Sequence, residues 1–580
     1  MLLAKLKEYA DERIEDPAPA LYASTPVALV VPLRPDGTAL PPIERFNPSS
    51  ARGRRGVDML APEVQRSSAI KPLLLADNGE YTFGRARDAN KQDRTDRAHA
   101  AYLELLERCA IATEEPAVTA VRRFYERGGV AQLDLADEWD YGLKVTFEVH
   151  FDDGTHCRPI DLPSVQAFWH EHNEPDLEAS EQCHICGERR PAVKRMQAKI
   201  KGIRGGQSSG TSIISANAPA FESYGLEASR VAPTCQECGT AFTRGLNDLL
   251  ADDQGSMTVG DATFVFWTRR QESFDFASLM RRPDAAQVGA LLESVRRGLA
   301  APLHDSAAFY AASLSASGGR AVVRDWIDTT VGSMSEHIAR WFVLQRIIDP
   351  RDEDPSGAQP RPLSLFQLAV STVRQASDLP VTTPGALFRS ALSGTPVPLE
   401  IGFQAVRRCR AEQSVCRFRA ALIKLVLLSR ESQPTPEDYM VALDSQHPSS
   451  AYHCGRLLAV IEEVQRAALP NVSATIVDRY YGAASSTPAV VFGALLRGAQ
   501  PHLARLERDR PGAHVALQRR IEEVTAEIGD WPTTLALKDQ ALFALGYYHQ
   551  RAHSRAQFAN RRTAQQQPVD QSDDSNSQEN

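Results

Sequence analysis

The sequence predicts an α+β fold: a mixed N-terminal region, holding a zinc-ribbon-like module of four cysteines and a long loop, is followed by a C-terminal α-helical bundle. Short β-like runs alternate with helical runs over the first 160 residues, and two Cys-x-x-Cys pairs come after them. Beyond about residue 362, nearly every segment has apolar residues at helical spacing. The 580 residues are enough for two to four domains.

The N-terminal strands are predicted from apolar runs that end in turn residues. VALVVPL followed by RPDGT indicates a strand and a hairpin, and KPLLLADNGEYTFG repeats that form. RAHAAYLELLERCAIA has the apolar spacing of a helix, whereas the alternating KVTFEVHFDDGT is half of a hairpin. DATFVFWTRR is one more strand, and from about residue 284 the chain is predicted to be largely helical.

The predicted domains follow this pattern. They are an α+β region (1–180), the four-cysteine module with its loop (181–245), a strand followed by helices (246–348), a helical bundle (363–561) and a disordered tail (562–580). The acidic stretch from Asp349 to Pro362 contains Pro and Gly and is predicted to be a linker. The tail has almost no apolar residue to bury. In the bundle, one predicted helix places these residues on a single face: Leu457, Ile461, Val464 and Ala468.

The composition indicates which kinds of protein fit the chain. Hydrophobic residues make up 43% and charged residues 24%, as in a soluble globular protein. No apolar run reaches the roughly 18 residues that span a bilayer, and the N-terminus lacks an apolar signal core, so we expect a cytoplasmic protein without membrane contact. The net charge of −8 excludes a uniformly basic coat. Local basic patches remain, with seven cations and one acid between Glu188 and Arg204.

Four of the nine cysteines form two pairs separated by 48 residues: Cys183 with Cys186, and Cys235 with Cys238. Two such knuckles bring four thiolates to a tetrahedral ion, so the sequence predicts a structural zinc site. The alternative is two coincidental pairs. A glycine follows each pair and suits a tight turn (Gly187, Gly239), and four cysteines leave the intervening His184 no vacant position.

The segment KIKGIRGGQSSGTSIISAN, from Lys199 to Asn217, combines three cations, four glycines and small polar residues. Glycine permits close approach of another molecule to the backbone, and the cations suit a phosphate-bearing guest. No Gly-Lys-Ser/Thr closes this segment and it contains no G-x-G-x-x-G, so it is not a P-loop. The alternative is an ordinary surface loop.

Several stretches resemble the large subunit of the type I-C CRISPR surveillance complex, Cascade. They are RSSAIKPLLLADNGEYTFG, KIKGIRGGQSSGTSIISANAPAFESYG, VVRDWIDTTVGSMSEHIARWF, AYHCGRLLAVIEEVQRAA, ATIVDRYYGAASSTPAVVFGALL and ALFALGYYHQRA, in the order of that family. The resemblance implies a subunit without enzymatic activity that reads the short protospacer-adjacent motif of target DNA and starts strand opening.

The same resemblance implies a set of partners. They are double-stranded target DNA, a crRNA-containing complex with backbone and foot subunits, and a helicase–nuclease that the chain helps to recruit. It also implies a small helical subunit made separately from the C-terminal part of the chain, about 440–561, from an internal start at or near Met440.

On this resemblance, the loop is predicted to contact duplex DNA through base edges, phosphates and close backbone approach. The residues predicted for the groove are Gln207, Ser208 and Ser209; for phosphates, Lys199, Lys201 and Arg204; for close approach, Gly205 and Gly206. Asn217 is predicted to bond an adenine edge or to cap a turn. Two further groups are predicted to contact DNA or, alternatively, to cap a turn or lie in a solvated loop: Arg66, Ser67 and Ser68, and Arg52, Arg54 and Arg55.

No catalytic arrangement stands out in the sequence. WHEHNEPD, with His170 and His172, lacks the H-E-x-x-H spacing, and His304-Asp305 lacks recognisable supporting ligands. His549 is expected to pack inside the helical bundle. We therefore expect a binding subunit; the alternative is a metal-dependent nuclease with a zinc-ribbon DNA-binding module.

Overall fold

The N-terminal region is built on a mixed sheet. The computed structural model describes residues 1–15, 19, 21–46, 56–64, 66, 69–135, 139–173, 180–196, 198–269, 276–297, 307–349, 361–431 and 440–566. Its first sheet has the strands β1 (Tyr22–Leu33), β2 (Ile43–Glu44), β3 (Val57–Pro62), β4 (Ala76–Asn78), β5 (Lys144–His150) and β6 (His156–Cys157). β1 and β5 pair in parallel, and the other pairs are antiparallel.

The helices of this region cover the sheet or pack on one another. They are α1 (Leu2–Arg13), α2 (Gly79–Phe83), α3 (Gln92–Thr113), α4 (Pro116–Glu126), α5 (Pro163–His172) and α6 (Gln236–Ala251). α4 has a strongly one-sided apolar face, and its Val118, Val121 and Phe124 are fully buried against the β1–β5 pair. The parallel pairing of β1 with β5 requires a long crossover, and β3, β4 and α2 to α4 lie within it.

The chain divides into two compact units. Unit 1 comprises Met1–Gly202, Gly206–Asp248 and Gly318–Arg320, and unit 2 comprises Ile203–Gly205, Leu249–Ser317 and Ala321–Asn580. Besides the six-stranded sheet, unit 1 contains an antiparallel pair, β7 (Ser180–Gln182) and β8 (Arg189–Pro191). The domain boundaries predicted from the sequence stay predictions.

A second sheet lies in the region that joins the cysteine module to the helical part. Its strands are β9 (Ser256–Val259), β10 (Ala262–Thr268), β11 (Ala308–Ser317) and β12 (Arg320–Thr330), in the order β12-β11-β10-β9. The predicted DATFVFWTRR strand is confirmed as β10. Phe264 on β10 is fully buried and packs on Phe388 in a tilted arrangement, with 4.3 Å between the ring centroids.

Apart from β11 and β12, the regular secondary structure of the described residues after β10 is helical. Its helices are α7 (Phe276–Arg281), α8 (Ala285–Arg297), α9 (Val331–Gln345), α10 (Leu365–Val370), α11 (Thr382–Ser393), α12 (Leu399–Glu412), α13 (Arg417–Leu428), α14 (Ser450–Ala468), α15 (Ile476–Ala484), α16 (Pro488–Asp509), α17 (Pro511–Ala526) and α18 (Leu537–Gln566). The face predicted on α14 is confirmed, since all four of its residues are buried. The α+β fold class is therefore confirmed.

α14 and α18 approach each other closely through two glycines. A Cβ added to Gly455 would lie 2.0 Å from the carbonyl oxygen of Phe543, and one added to Gly546 would lie 2.0 Å from that of Tyr452. Real Cβ atoms do not come this close to backbone, so only glycine allows this packing distance. The hydroxyl of Tyr452 and Nδ1 of His549 are 2.8 Å apart, and both residues are fully buried, so His549 packs in the bundle as predicted.

One local prediction is wrong, and another missed two strands. In KPLLLADNGEYTFG only β4 is a strand; residues 71–75 are neither helix nor strand, and the short helix α2 follows β4 instead of a hairpin. α2 forms because Asn78 caps it by accepting from the Tyr81 N–H, and Gly84 ends it in the left-handed region. The stretch after residue 284 is largely helical, as predicted, but the strands β11 and β12 interrupt it. α18 continues to Gln566, beyond the predicted start of the tail, and residues 567–580 lie outside the described part.

Candidate metal centre and nucleic-acid loop

Four cysteine side chains converge in unit 1. The Sγ atoms of Cys183, Cys186, Cys235 and Cys238 all lie within 4.8 Å of one another. Zn–S bonds of about 2.3 Å in a tetrahedron place sulfur atoms about 3.8 Å apart, so a small adjustment would close these four around one ion. The cysteine cluster can therefore hold a metal ion, and His184 is not part of it.

The two cysteine pairs are held by different local structures. The first pair lies in the turn between β7 and β8, where the Gly187 N–H donates to the Cys183 carbonyl at 2.9 Å and Gly187 has φ +78°. The second pair begins at the N-terminus of α6, so the expected tight turn at Gly239 is wrong. Gly239 is helical instead, and a Cβ there would lie 3.0 Å from Sδ of Met196.

Backbone donors prepare one of the thiols for a metal. The Cys235 N–H lies 3.4 Å and the Ile185 N–H 3.5 Å from Sγ of Cys183. Burial raises the pKa of Cys183, but N–H donors from Cys186, Cys235 and Ile185 outweigh it and lower this pKa to about 7. Metals bind the thiolate, so these donors favour the form that ligates.

The glycine loop, residues 199–211, begins and ends at one antiparallel bridge. Ile200 and Thr211 exchange backbone hydrogen bonds of 2.8 and 2.9 Å. Asn247 on α6 fixes the start of the loop, because its Oδ1 accepts from the Lys201 N–H at 2.8 Å and its Nδ2 donates to the Lys199 carbonyl at 2.9 Å. The two ends of the loop are therefore clamped together.

The middle of the glycine loop lies against the segment Gly318–Arg320, which belongs to the same unit. The Gln207 N–H donates to the Gly318 carbonyl, and the Ser212 N–H to the Gly319 carbonyl, both at 3.0 Å. Oε1 of Gln207 lies 3.3 Å from where a Cβ on Gly319 would be, so a side chain there would crowd it. Gly206 forms a β-bridge with Gly318. The next three residues, Gln207, Ser208 and Ser209, are exposed in a turn that closes where the Gly210 N–H donates to the Gln207 carbonyl.

The predicted phosphate-binding cations differ in their surroundings. Lys201 is exposed, and no carboxylate of the described residues lies within salt-bridge distance of it. Lys199 is half-buried, donates to Oγ of Ser212 at 2.8 Å, and has a lowered pKa because of burial and the nearby Arg195. Arg204 lies in unit 2, where its exposed guanidinium pairs with Asp261 at 3.3 Å and its N–H donates to Thr263 at 3.3 Å.

The remaining residues predicted to contact DNA do not add to the exposed Gln207–Ser209 turn. Gly205 lies in unit 2 with φ +79°, and Asn217 is exposed. Arg66 pairs with the buried Asp77 and stacks over the Tyr81 ring at 4.2 Å, so its guanidinium already has an internal partner. Five predicted residues lie outside the described part: Arg52, Arg54, Arg55, Ser67 and Ser68. His304 and Asp305 also lie outside it.

Sequence reasoning missed the residues that support the glycine loop from a distance. Asn247 and the Gly318–Arg320 segment are 46 or more residues away along the chain from their loop partners. The dipeptide Gly318-Gly319 between two alternating runs is a recognisable hairpin signal. Nothing in one sequence, however, says which loop a hairpin turn will contact.

Comparisons with known proteins identify the family. None of the curated proteins compared matches the chain. Among the described residues, no helix is both long and apolar enough to cross a membrane. The family model described as "CRISPR-associated protein (Cas_Csd1)" matches residues 3–555, nearly the whole chain. The chain therefore belongs to the Cas_Csd1 family of CRISPR-associated proteins.

Proposed function

We propose that the chain is the DNA-recognition large subunit of a type I-C CRISPR ribonucleoprotein, and that it binds DNA without catalysing a reaction. In this role it reads the protospacer-adjacent motif in the duplex, starts strand opening and helps to recruit the helicase–nuclease. The crRNA then reads the remaining sequence by base pairing. Family membership supports the role in CRISPR defence, and the glycine loop supports the DNA contact.

The observation that carries the proposal is the exposed Gln207–Ser209 turn, held at its base. Polar side chains on a pre-positioned turn can enter a groove without first losing conformational freedom. Gln207 can bond a base edge, while the exposed Lys201 of the same loop can neutralise a phosphate. Arg66 is better explained as an internal ion-pair partner than as a DNA contact.

We further propose that the metal is zinc and that its role is structural. Four thiolates without a water or carboxylate are the donor set of a closed structural zinc site. Ligation would tie the β7–β8 turn to the N-terminus of α6, and α6 carries the Asn247 that clamps the glycine loop. The metal would therefore act on DNA binding through the position of this helix.

We also propose that residues from about Met440 are made separately as a small helical subunit. Helices α14 to α18 pack mainly on one another, while α18 also packs on α12 and α13 within one continuous apolar core. Arginines on these helices could contact a nucleic-acid backbone. Two of them form surface ion pairs instead, Arg505 with Asp509 and Arg519 with Glu523. Intact mass spectrometry of the complex expressed from the native gene tests this proposal: a complex that opens DNA without a fragment of about this length would contradict it.

The test of motif reading uses the natively purified complex and a library of duplexes randomised at the motif. Gln207→Ala is expected to lower discrimination between good and poor motifs by roughly 1–3 kcal/mol. Lys201→Ala and Arg204→Ala should instead weaken binding to every duplex and reduce the salt dependence. Arg87→Ala, which also breaks an exposed ion pair, is the matched control.

Two outcomes would contradict this proposal. If Gln207→Ala weakens all duplexes equally, Gln207 does not read the motif. If the purified chain alone cleaves motif-bearing plasmid with Mg²⁺ or Mn²⁺, and a variant that no longer binds DNA does not, then the chain is a nuclease.

A further inference from the structure

Tyr224 lies at the tip of a tight turn in unit 1 and is almost fully exposed. Its side chain is 98% exposed. Tyr224 and Gly225 both have positive φ, +53° and +72°, and the Leu226 N–H donates to the Ser223 carbonyl at 2.9 Å. Two central residues with positive φ define the type I′ hairpin turn, for which Asn-Gly is the preferred sequence.

Tyrosine is a costly choice at this position. A bulky residue with positive φ is an outlier, and an exposed ring gains nothing from burial. Neither the turn nor the core of unit 1 therefore explains why an aromatic ring is held there. Rings held outside the core in this way are suited to stacking on another flat group.

A second aromatic ring lies in the same excursion of the chain, residues 216–228. This excursion closes where the Ala216 N–H donates to the Ala228 carbonyl at 2.8 Å. Phe221 is half exposed, and the Arg320 guanidinium lies over its ring at 3.7 Å from the centroid. Arg320 also forms a backbone bridge with Ser212 at the end of the glycine loop. The excursion is therefore tied to the glycine loop through one arginine.

We propose that Tyr224 and the Phe221–Arg320 pair form a stacking surface for unpaired bases of single-stranded DNA. This inference rests on the proposed function, in which a duplex held by the glycine loop is opened and releases unpaired bases nearby. Base–aromatic stacking tolerates any sequence, because every base has a π-face. Such a surface suits a strand whose sequence changes from one target to the next.

The charges around Tyr224 favour a base over a phosphate as its partner. Glu222 and Glu227 flank the turn, and both are exposed. Carboxylates repel phosphates, so the ring would meet a base while the strand's backbone follows cations elsewhere. The contribution of Tyr224 to binding should therefore be nearly independent of salt.

The test measures binding of the full-length chain to a labelled oligothymidylate and to an abasic oligonucleotide of equal length. The abasic strand keeps the phosphates and lacks the bases. Tyr224→Asn removes the ring and keeps a residue that suits the turn, so the thermal stability should be unchanged or higher. We expect this variant to weaken oligothymidylate binding about five- to a hundred-fold and to leave abasic binding unchanged.

Two further variants sharpen the test. Tyr224→Trp should retain binding, because it keeps a stacking ring. Phe558→Ala, which removes another well-exposed ring from unit 2, should have no effect. Unchanged binding of oligothymidylate by Tyr224→Asn would overturn the proposal, as would an equal loss on the abasic strand.

A different partner would also be recognisable. If Tyr224→Asn leaves DNA binding intact but lowers the recovery of other subunits with the natively purified chain, the ring docks on protein and the proposal is wrong. If Tyr224→Asn has no effect but the Gln207 and Lys201 variants still change duplex binding, only the stacking surface is contradicted and the proposed function stands. If they too have no effect, the proposed function itself fails.

Discussion

The glycine loop and the α14–α18 helix pair both depend on glycines, for opposite reasons. In the loop, Gly205 and Gly210 have positive φ and let the backbone turn, while hydrogen bonds from Asn247 and Gly318 hold it. In the helix pair, Gly455 and Gly546 are helical and let two backbones touch inside an apolar core. A segment held by polar contacts can remain exposed and meet a partner, whereas one held by burial cannot.

The largest effect is expected at the cysteine cluster, because the proposed zinc ion would hold its two cysteine pairs together. Cys183→Ser with Cys235→Ser should destabilise unit 1 by roughly 3 kcal/mol or more, a fall in Tm of roughly 6–12 °C, and should weaken motif binding together with it. Metal analysis of native protein should give about one equivalent of zinc.

The control for this prediction lies in the helical core. Cys409→Ser and Cys454→Ser change buried thiols that belong to no cluster of the described residues, so they should leave the zinc content unchanged. Native protein with less than about half an equivalent of zinc would contradict a structural metal.

The next largest effect is expected in the α14–α18 pair. Gly546→Ala places a Cβ against the Tyr452 backbone, so the helices must separate, at a cost of about 3 kcal/mol. Gly498→Ala on α16, where a Cβ meets nothing within 4 Å, should instead stabilise by about 0.5–1 kcal/mol. Thermal or chemical unfolding measures both variants, and equal effects would show that the close approach is not what matters.

The clamp on the glycine loop should respond less strongly. Asn247→Ala removes two hydrogen bonds to the loop backbone and should cost about 2 kcal/mol. Because the loop start is then free, binding to motif-bearing duplex should weaken as well. Asn247→Asp keeps the acceptor for the Lys201 N–H and loses the donor to the Lys199 carbonyl. Its stability and duplex affinity should therefore fall between those of the unchanged chain and of Asn247→Ala. A loss of stability without any loss of DNA binding would separate the loop from recognition.

The smallest effect is a pH dependence of the helical core. Burial, with Lys424 and His447 nearby, lowers the pKa of His549 to about 3 from 6.5. The unfolded chain therefore binds the proton more readily, and the stability that this His contributes when neutral is lost as the pH falls from 6.5 towards 3. His549→Gln should flatten that slope by roughly 1 kcal/mol per pH unit near pH 6. An unchanged slope would show that His549 is not the group responsible.

The sequence predicted the elements whose signals are local. It therefore predicted the helical face of α14 but not the contacts that hold the glycine loop. Cys-x-x-Cys spacing predicted the cysteine cluster, and the apolar face of α14 was visible because helical burial repeats along the chain. The α2 helix was missed because the apolar run before it predicts a strand, whereas the helix depends on one capping residue, Asn78. The partners of the glycine loop were missed because Asn247 and Gly318 are distant in sequence, and hydrogen bonds between loops leave no periodic pattern.

The measurement that tests the central claim most directly is what co-purifies with the tagged full-length chain from its native cells. The account predicts a crRNA with repeat-derived ends, together with other complex subunits in several copies, and binding of motif-bearing duplex that Gln207→Ala makes less selective. Recovery of the chain alone, without RNA and with equal affinity for every duplex, would contradict the account.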